Sequence, residues 1–364
     1  MTQRLPLSLT SLDVARQMLC GGLQPVAPRD VLLADALGCV AAEMAATEPF
    51  PPRDIATLDG WAFAARDLVG ASSYAPLAMA AAPCWVEAGD AMPQDCDCVV
   101  DADVVDAFGP LVQVTAEAIP GQGVRRAGSD IAGGGALVAA GHPIRSLDLV
   151  RARGAGYTSI SVRRPSLRLI DMPTTKKRDL TVHLIAELAQ AAGTMVTRGD
   201  TASLRGDASD LLITIGGTGV GRGDATVLAL AQSGVVLAHG IALQPGRTTA
   251  IGINENIPVI ALPGAPDQAL AAWWTLALPM VDHLALRVSR PMVTLPLARK
   301  IASGVGVAEI ALLRQTNATW MPLAVGDLSL DAIASADAWC AIPAGSEGFA
   351  AGAVVDAYLL KSCD

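Results

Sequence analysis

Aromatic side chains are scarce in this sequence: Phe, Trp and Tyr make up 4% of its 364 residues. Its cores must therefore be filled with Ala, Val, Leu and Ile. Charge is scarce too, at 17% against about 25% in an ordinary globular chain. With 52% apolar residues, this excludes disorder as the main state. Positive charge is short, 26 Lys and Arg against 35 Asp and Glu, for a net −9. A field of that sign repels phosphate and argues against nucleic-acid or anionic-membrane partners. A phosphorylated ligand would need a local site. Four histidines lie far apart, with no zinc spacing. Seven scattered cysteines, with Cys96-Asp97-Cys98 the one close pair, make no disulfide framework. Reduced thiols in a cytoplasmic protein are expected. The uncharged stretch from Ala225 to Gly246 is broken by Gln232, Gly234, Gly240 and Pro245, so no bilayer helix is expected. Met1-Thr-Gln-Arg-Leu-Pro6 has no basic segment leading into an apolar run, so no export signal is expected. There is no Ser/His/Asp set, HExxH or nucleophile elbow. Chemistry here must come from positioning and electrostatics around a ligand.

What is present has order. Ser11 is placed to cap a helix to about Cys20, with Asp13 in its first turn and Gly21-Gly22 ending it. After the joint Pro49-Phe-Pro-Pro-Arg53, short apolar runs over 55–120 predict a small β-rich module, with Val99-Val100 and Leu111–Val114 as its clearest strands. Gly121–Gly141 reads as a glycine-rich connector, and Ser146 opens a short helix to about Arg153. From Leu167 strands and helices alternate. Leu167–Ile170, Leu211–Ile215, Val235–Ala238, Thr249–Ile253 and Pro258–Leu262 are predicted strands. Helices are predicted through Leu184–Ala192, over Ala225–Gln232, and from Asp267 to about Leu286 with a bend at Pro279. This pattern predicts an α/β domain with a largely parallel sheet, whose ligands sit at the carboxyl ends of the strands. The tail Pro291–Leu360 returns to short strands and reads as a small separate β module.

The sharpest feature is Ile215-Gly-Gly-Thr-Gly-Val-Gly-Arg-Gly-Asp224, joining a buried strand to a helix. Such a loop exposes backbone N–H groups beside a helix N-terminus, where an oxyanion is attracted. It is neither a Walker A loop nor a dinucleotide fingerprint, and a plain chain reversal would also account for it. Gln244-Pro-Gly-Arg247 and Leu262-Pro-Gly-Ala-Pro266 are two further turns on the same sheet, candidates for a pocket rim with Arg247 as its cation. Lys176-Lys177-Arg178 is the densest basic run and falls near the predicted pocket mouth. Asp59 and Asp130 lie in turns, where aspartate is common for local hydrogen-bonding reasons, so each taken singly reads as structural.

In order, Thr57-Leu-Asp-Gly-Trp-Ala62, Pro93-Gln-Asp-Cys-Asp-Cys-Val-Val100, Gly123-Val-Arg-Arg-Ala-Gly-Ser-Asp-Ile131, Ala139-Ala-Gly-His-Pro-Ile144, the glycine loop with Asp224, Gln244-Pro-Gly246 and Leu262-Pro-Gly-Ala-Pro266 resemble the molybdopterin molybdenumtransferase family, MoeA, whose animal relative is the gephyrin E-domain. The match runs from about Leu33 to Leu284. The resemblance implies a multidomain α/β plus β protein. It has a helical, dimer-forming linker domain (1–48 and 121–165), an inserted β-rich domain (49–120), an α/β molybdopterin-binding domain (166–287) and a C-terminal β-barrel (288–364). It implies insertion of molybdate into adenylylated molybdopterin with release of AMP, helped by a divalent ion such as magnesium. The implied setting is a cytoplasmic homodimer that meets other molybdenum-cofactor proteins, with no nucleic acid and no membrane.

Carried over by motif, Asp59, Asp130, Asp200 and Asp224 are the implied catalytic carboxylates. Gly216, Gly217, Thr218, Gly219 and Gly221 would cradle the pterin phosphate. Pro245, Gly246, Arg247, Pro263, Gly264 and Pro266 would complete the pocket, with Lys176 and Lys177 replacing lost cations. No metal ligand is assigned. The chain departs from the family at several points. The family's Ser-Thr-Gly-Asp-Glu-Leu loop is replaced by Asp171-Met-Pro-Thr-Thr-Lys-Lys-Arg-Asp179 and its Tyr-Asp-Thr-Asn stretch is missing. Lys-Pro-Gly-Lys reads Gln244-Pro-Gly-Arg247, and Ala88, Ala265 and Gly219 stand where the family has Thr, Asn and Ser. Two readings follow: a transferase with weakened chemistry, or a non-catalytic binding or dimeric scaffold protein.

Overall fold

The computed structural model describes residues 3, 8–45, 47–79, 82–106, 111–172, 180–200 and 209–360. The chain divides into two compact units: residues 1–42, 140–145 and 159–364, and residues 43–139 with 146–158. The sequence boundary at 287/288 therefore falls inside the first unit.

The first unit is built on a six-stranded sheet in the order Met195–Gly199, Ser166–Asp171, Leu211–Ile215, Ile257–Leu262, Ala250–Asn254, Val235–His239. Leu167 pairs with Leu211, and Ile215 with Leu262. One strand, Ala250–Asn254, runs against both its neighbours. The expectation of a largely parallel sheet holds for the other five. The reversal is a tight hairpin, because Glu255 and Asn256 take positive φ of 49° and 69°, the conformation of a two-residue hairpin turn. Leu211–Ile215 is buried along its whole length, as a central strand covered on both faces must be.

Helix Leu12–Cys20 begins where Ser11 accepts from the Val14 N–H, and buries Leu12, Ala15 and Leu19. The predicted helix from Asp267 is three consecutive segments: Pro266–Ala272, a wider π turn over Trp273–Ala277, and Leu278–Leu284. Pro279 has no N–H to give the carbonyl four residues back, and the helix widens just before it. One core cluster joins Ala15, Leu169, Ile213, Ile260, Trp273 and Leu276 to Ala308, Ile310, Leu312 and Trp339 of the tail. Strand Ala308–Thr316 also pairs in parallel with Leu243-Gln244, so the tail is hydrogen-bonded into the unit that carries the glycine loop.

In the second unit, Gly60–Phe63 is the central strand between Cys84–Val86 and Cys98–Val100. Gln113–Val114 lies between Leu77–Ala78 and Val105–Asp106. The β-rich expectation for 55–120 is met, with a core of Phe63, Leu68, Cys98, Val100, Val105 and Val114. Helix Ser146–Gly154 belongs to this unit. Among the described residues no helix is long and apolar enough to cross a membrane.

Candidate functional site

Strand Leu211–Ile215 ends in Gly216 and Gly217, with φ of 91° and 66°. A Cβ on Gly217 would lie 2.5 Å from Thr226 Oγ1. That close approach is used. Thr226 Oγ1 donates to Gly216 O at 2.6 Å, and Thr226 N donates to Gly217 O at 3.1 Å. The loop is thereby sewn to the first turn of helix Thr226–Ser233. Its far end is closed by Asp224, whose Oδ2 accepts the Gly221 N–H at 2.7 Å. Thr218 Oγ1 lies 3.2 Å from Thr248 Oγ1, and the His239 ring nitrogen hydrogen-bonds Thr218 O at 2.9 Å.

The loop lines one side of a cavity of about 740 Å³ at the carboxyl ends of the strands, where ligands of α/β sheets bind. Gly216, Gly217, Thr218, Gly219 and Asp224 come from the glycine loop, and Pro263, Gly264, Ala265 and Pro266 from the second turn. The two turns touch directly, for Gly216 N donates to Leu262 O at 2.9 Å. Pro266 then starts a helix, where its missing N–H costs nothing. Thr181, 2% exposed, donates to Gly264 O at 2.7 Å and brings the start of helix Leu180–Ala191 to the cavity edge.

Not every candidate residue reaches this cavity. The Gln244–Arg247 turn contributes its neighbour Thr248; Pro245, Gly246 and Arg247 are not among the lining residues. Pro245 and Gly246 are buried beneath the turn, and a Cβ on Gly246 would meet Leu243 at 3.1 Å and Gln268 O at 3.2 Å. The Arg247 side chain is exposed, and its carbonyl accepts the Ile241 N–H. Gly221 and Asp200 also fall outside the lining set. Lys176 and Lys177 lie outside the described residues.

Asp59 and Asp130 belong to the second unit. Both are exposed, and both have local partners. Asp59 Oδ1 accepts the Ala88 N–H at 2.8 Å, and Asp130 Oδ2 is 3.1 Å from Arg125 Nη1. These are the turn contacts that a purely structural aspartate makes.

Sequence reasoning missed two contributors. Asp327, Leu328, Ser329 and Leu330 form a wall of the cavity from the tail, held close where Gln244 Nε2 donates to Gly326 O at 3.0 Å. No local pattern marks that segment, which arrives through tertiary pairing. The second is Gln3, only 5% exposed. Its Nε2 donates to both Gly217 O and Gly219 O at 2.9 Å. Its Oε1 accepts the Val227 N–H at 2.7 Å and the Leu228 N–H at 3.3 Å.

The lining carries Asp171, Asp224, Asp267 and Asp327 and, among the described residues, no Lys or Arg. Among the described residues, the groups that can meet an anionic ligand against that charge are backbone N–H groups and the Thr hydroxyls. Among the described residues no three His, Cys, Asp or Glu side chains converge to hold a metal ion. The described donors do not form a protein-only cage for a divalent ion.

Two family models match the chain. The MoeA N-terminal region (domains I and II) matches residues 10–156, and a "Probable molybdopterin binding domain" matches residues 174–283. A protein of Methanocaldococcus jannaschii named for molybdopterin biosynthesis is 30% identical over 128 residues, 35% of this chain. The matched stretch spans 31% of that relative's length. Among solved structures, a molybdopterin biosynthesis MoeA protein of Pyrococcus horikoshii aligns with a TM-score of 0.66, 19% identity, and coverage of 97% of this chain and 100% of that one. A molybdenum cofactor biosynthesis protein of Pyrococcus furiosus aligns with a TM-score of 0.58, 15% identity, and coverage of 96% and 99%. At these identities the structures establish a shared fold.

Proposed function

Because this chain belongs to the MoeA family of molybdopterin biosynthesis proteins, we propose that it binds adenylylated molybdopterin in the cavity above the glycine loop and supports exchange of AMP for molybdate. The observation that carries this reading is the cavity itself. It has about 740 Å³ of space, enough for a compact nucleotide-like ligand. The glycine loop and the Pro263–Pro266 turn meet on one side of it.

In this reading the Gly216–Gly219 backbone takes the pterin phosphate, because glycines let the ligand approach without a Cβ in the way. Thr218, Thr248 and Thr181 offer hydroxyls around it. Asp224, pinned to Gly221, orients water or molybdate next to the phosphate. Lys176 and Lys177 supply the cations that the lining lacks, and Arg247 remains a rim charge. Asp59, Asp130 and Asp200 act from outside this cavity, the first two in a homodimer across whose subunits the site is completed. The dimer works in the cytoplasm, and magnesium enters with the ligand.

A second reading, binding without turnover, is favoured by the local partners of Asp59 and Asp130. A carboxylate already satisfied by Ala88 N–H or Arg125 is less available to reacting atoms. One titration separates the two. Wild-type protein is mixed with adenylylated molybdopterin and molybdate, and bound ligand and free AMP are both measured. Binding with molybdate-dependent AMP release supports the transferase. Binding without AMP supports the carrier, and absence of binding removes both.

A further inference from the structure

Gln3 does not line the cavity, yet all four of its side-chain hydrogen bonds go to the loop and helix that build it. Thr226, the other partner of Gly217 O, is likewise absent from the lining. The Gly217 and Gly219 carbonyls are thus held on the side away from the cavity. In a trans peptide the next N–H points opposite to the carbonyl, which turns the N–H group of Thr218, a lining residue, toward the ligand side. Among the described residues this N–H group has no protein acceptor. At the same time Gln3 Oε1 occupies the Val227 and Leu228 N–H groups at the helix start. Those donors, the usual attractors of an anion, are already taken.

We propose that Gln3 is a positioning residue of the ligand site. It fixes the glycine loop in the one arrangement that aims the Thr218 N–H group at a bound oxyanion, and it silences the helix terminus as a competing anion site. This rests on the reading of the cavity as a phosphate-binding pocket. The geometry also answers the charge problem of the lining. With four carboxylates facing the ligand, peptide donors must already be aimed correctly, since preorganised dipoles cost no reorganisation on binding.

The test uses full-length protein, with Gln3→Ala and Gln3→Met. Met keeps the length and volume of the stem and removes every polar atom. The measurements are molybdopterin affinity, the thermal midpoint, and amide exchange at Val227 and Leu228. Both variants are expected to bind molybdopterin at least about tenfold more weakly, the effect of one lost buried hydrogen bond, while the folded baseline persists at the assay temperature. Exchange at Val227 should accelerate in both. Restoration of affinity by Met would reduce Gln3 to packing and overturn the proposal, as would wild-type affinity in Gln3→Ala. Should Ala prove too unstable to assay, Met carries the comparison. If the wild type binds no molybdopterin, the pterin reading fails on its own. The exchange data then decide the role of Gln3: faster exchange in both variants supports it, and unchanged exchange overturns it.

Discussion

Arg16 donates its Nε–H to the carbonyl of Thr275 at 2.7 Å. Thr275 is the residue whose carbonyl Pro279, four positions on, cannot satisfy in a regular helix. A side chain from helix Leu12–Cys20 thus fills the backbone vacancy that a proline opens. Arg16→Met is expected to destabilise the protein by about 1–3 kcal/mol, the cost of a buried acceptor left unpaired. In a Pro279→Ala background the same substitution should cost less, because the helix can then supply the donor. Urea titrations of the four proteins give the coupling; strict additivity would sink the explanation.

The glycine loop should tolerate a methyl group unevenly. Gly217→Ala places a Cβ 2.5 Å from Thr226 Oγ1 at φ +66°, and Gly219→Ala places one 2.6 Å from Asp224 Oδ2. Each is expected to cost about 1–3 kcal/mol and to weaken ligand binding. At Gly264 the nearest atom to a new Cβ is 3.4 Å away, so Gly264→Ala should shift stability by less than about 0.5 kcal/mol. Thermal unfolding of the three variants checks the ranking.

Asp224→Asn and Asp130→Asn divide the two functional readings. If Asp224 orients a reacting oxygen, its amide variant should release AMP about 100-fold more slowly, the scale of a lost electrostatic contact in a transition state. The exposed Arg125–Asp130 pair is worth about 0–1 kcal/mol, so Asp130→Asn should unfold like the wild type. A fall in its AMP release at unchanged stability would mark a reacting role. Unchanged release from both variants would count against turnover at this site.

The thiols should respond to pH according to burial. Burial raises Cys340 from 9.0 to about 12. Burial first, and then the nearby Asp97 charge, raise Cys98 to about 11. Above pH 9.0 an unfolded thiol loses its proton while the folded one keeps it, so the native state binds more protons. Stability should therefore be whole below pH 9.0 and decline as pH rises toward about 12. Urea midpoints at rising alkaline pH, with Cys340→Ala reducing the decline, measure it. At pH 8 a thiol reagent should modify exposed Cys84 in the folded protein and reach Cys340 after unfolding. Equal rates at both would contradict the burial argument.

Much of this was legible where the signal is local. The Ser11 cap, the glycine stop after Cys20, the apolar strand Leu211–Ile215 and its glycine turn each follow from residue types within a few positions. The reversal of Ala250–Asn254 was harder. Its strand and the next are both continuous apolar runs, so periodicity carried no direction, and Glu255-Asn256 alone marked the turn. Pro279 announced a disturbance, but the Thr275 carbonyl it leaves free is bonded by Arg16, more than 250 positions away. Gln3 and the Asp327–Leu330 wall carry no local signature. They matter because of where the chain brings them, and hydrogen bonds spanning such separations leave no spacing to read.

The parallel pairing of Leu243-Gln244 with Ala308-Glu309 has an evolutionary and practical corollary. Cutting the gene after the helix that ends at Leu284 would not liberate a self-sufficient α/β module. The fragment would expose an unpaired strand edge, lose one wall of its pocket, and present the uncovered flank of Trp274, which stacks on Trp339 at 5.1 Å, to water. Recombination or domain transplantation that respects this molecule must move the glycine loop and the final β-sheet together, as a single heritable piece.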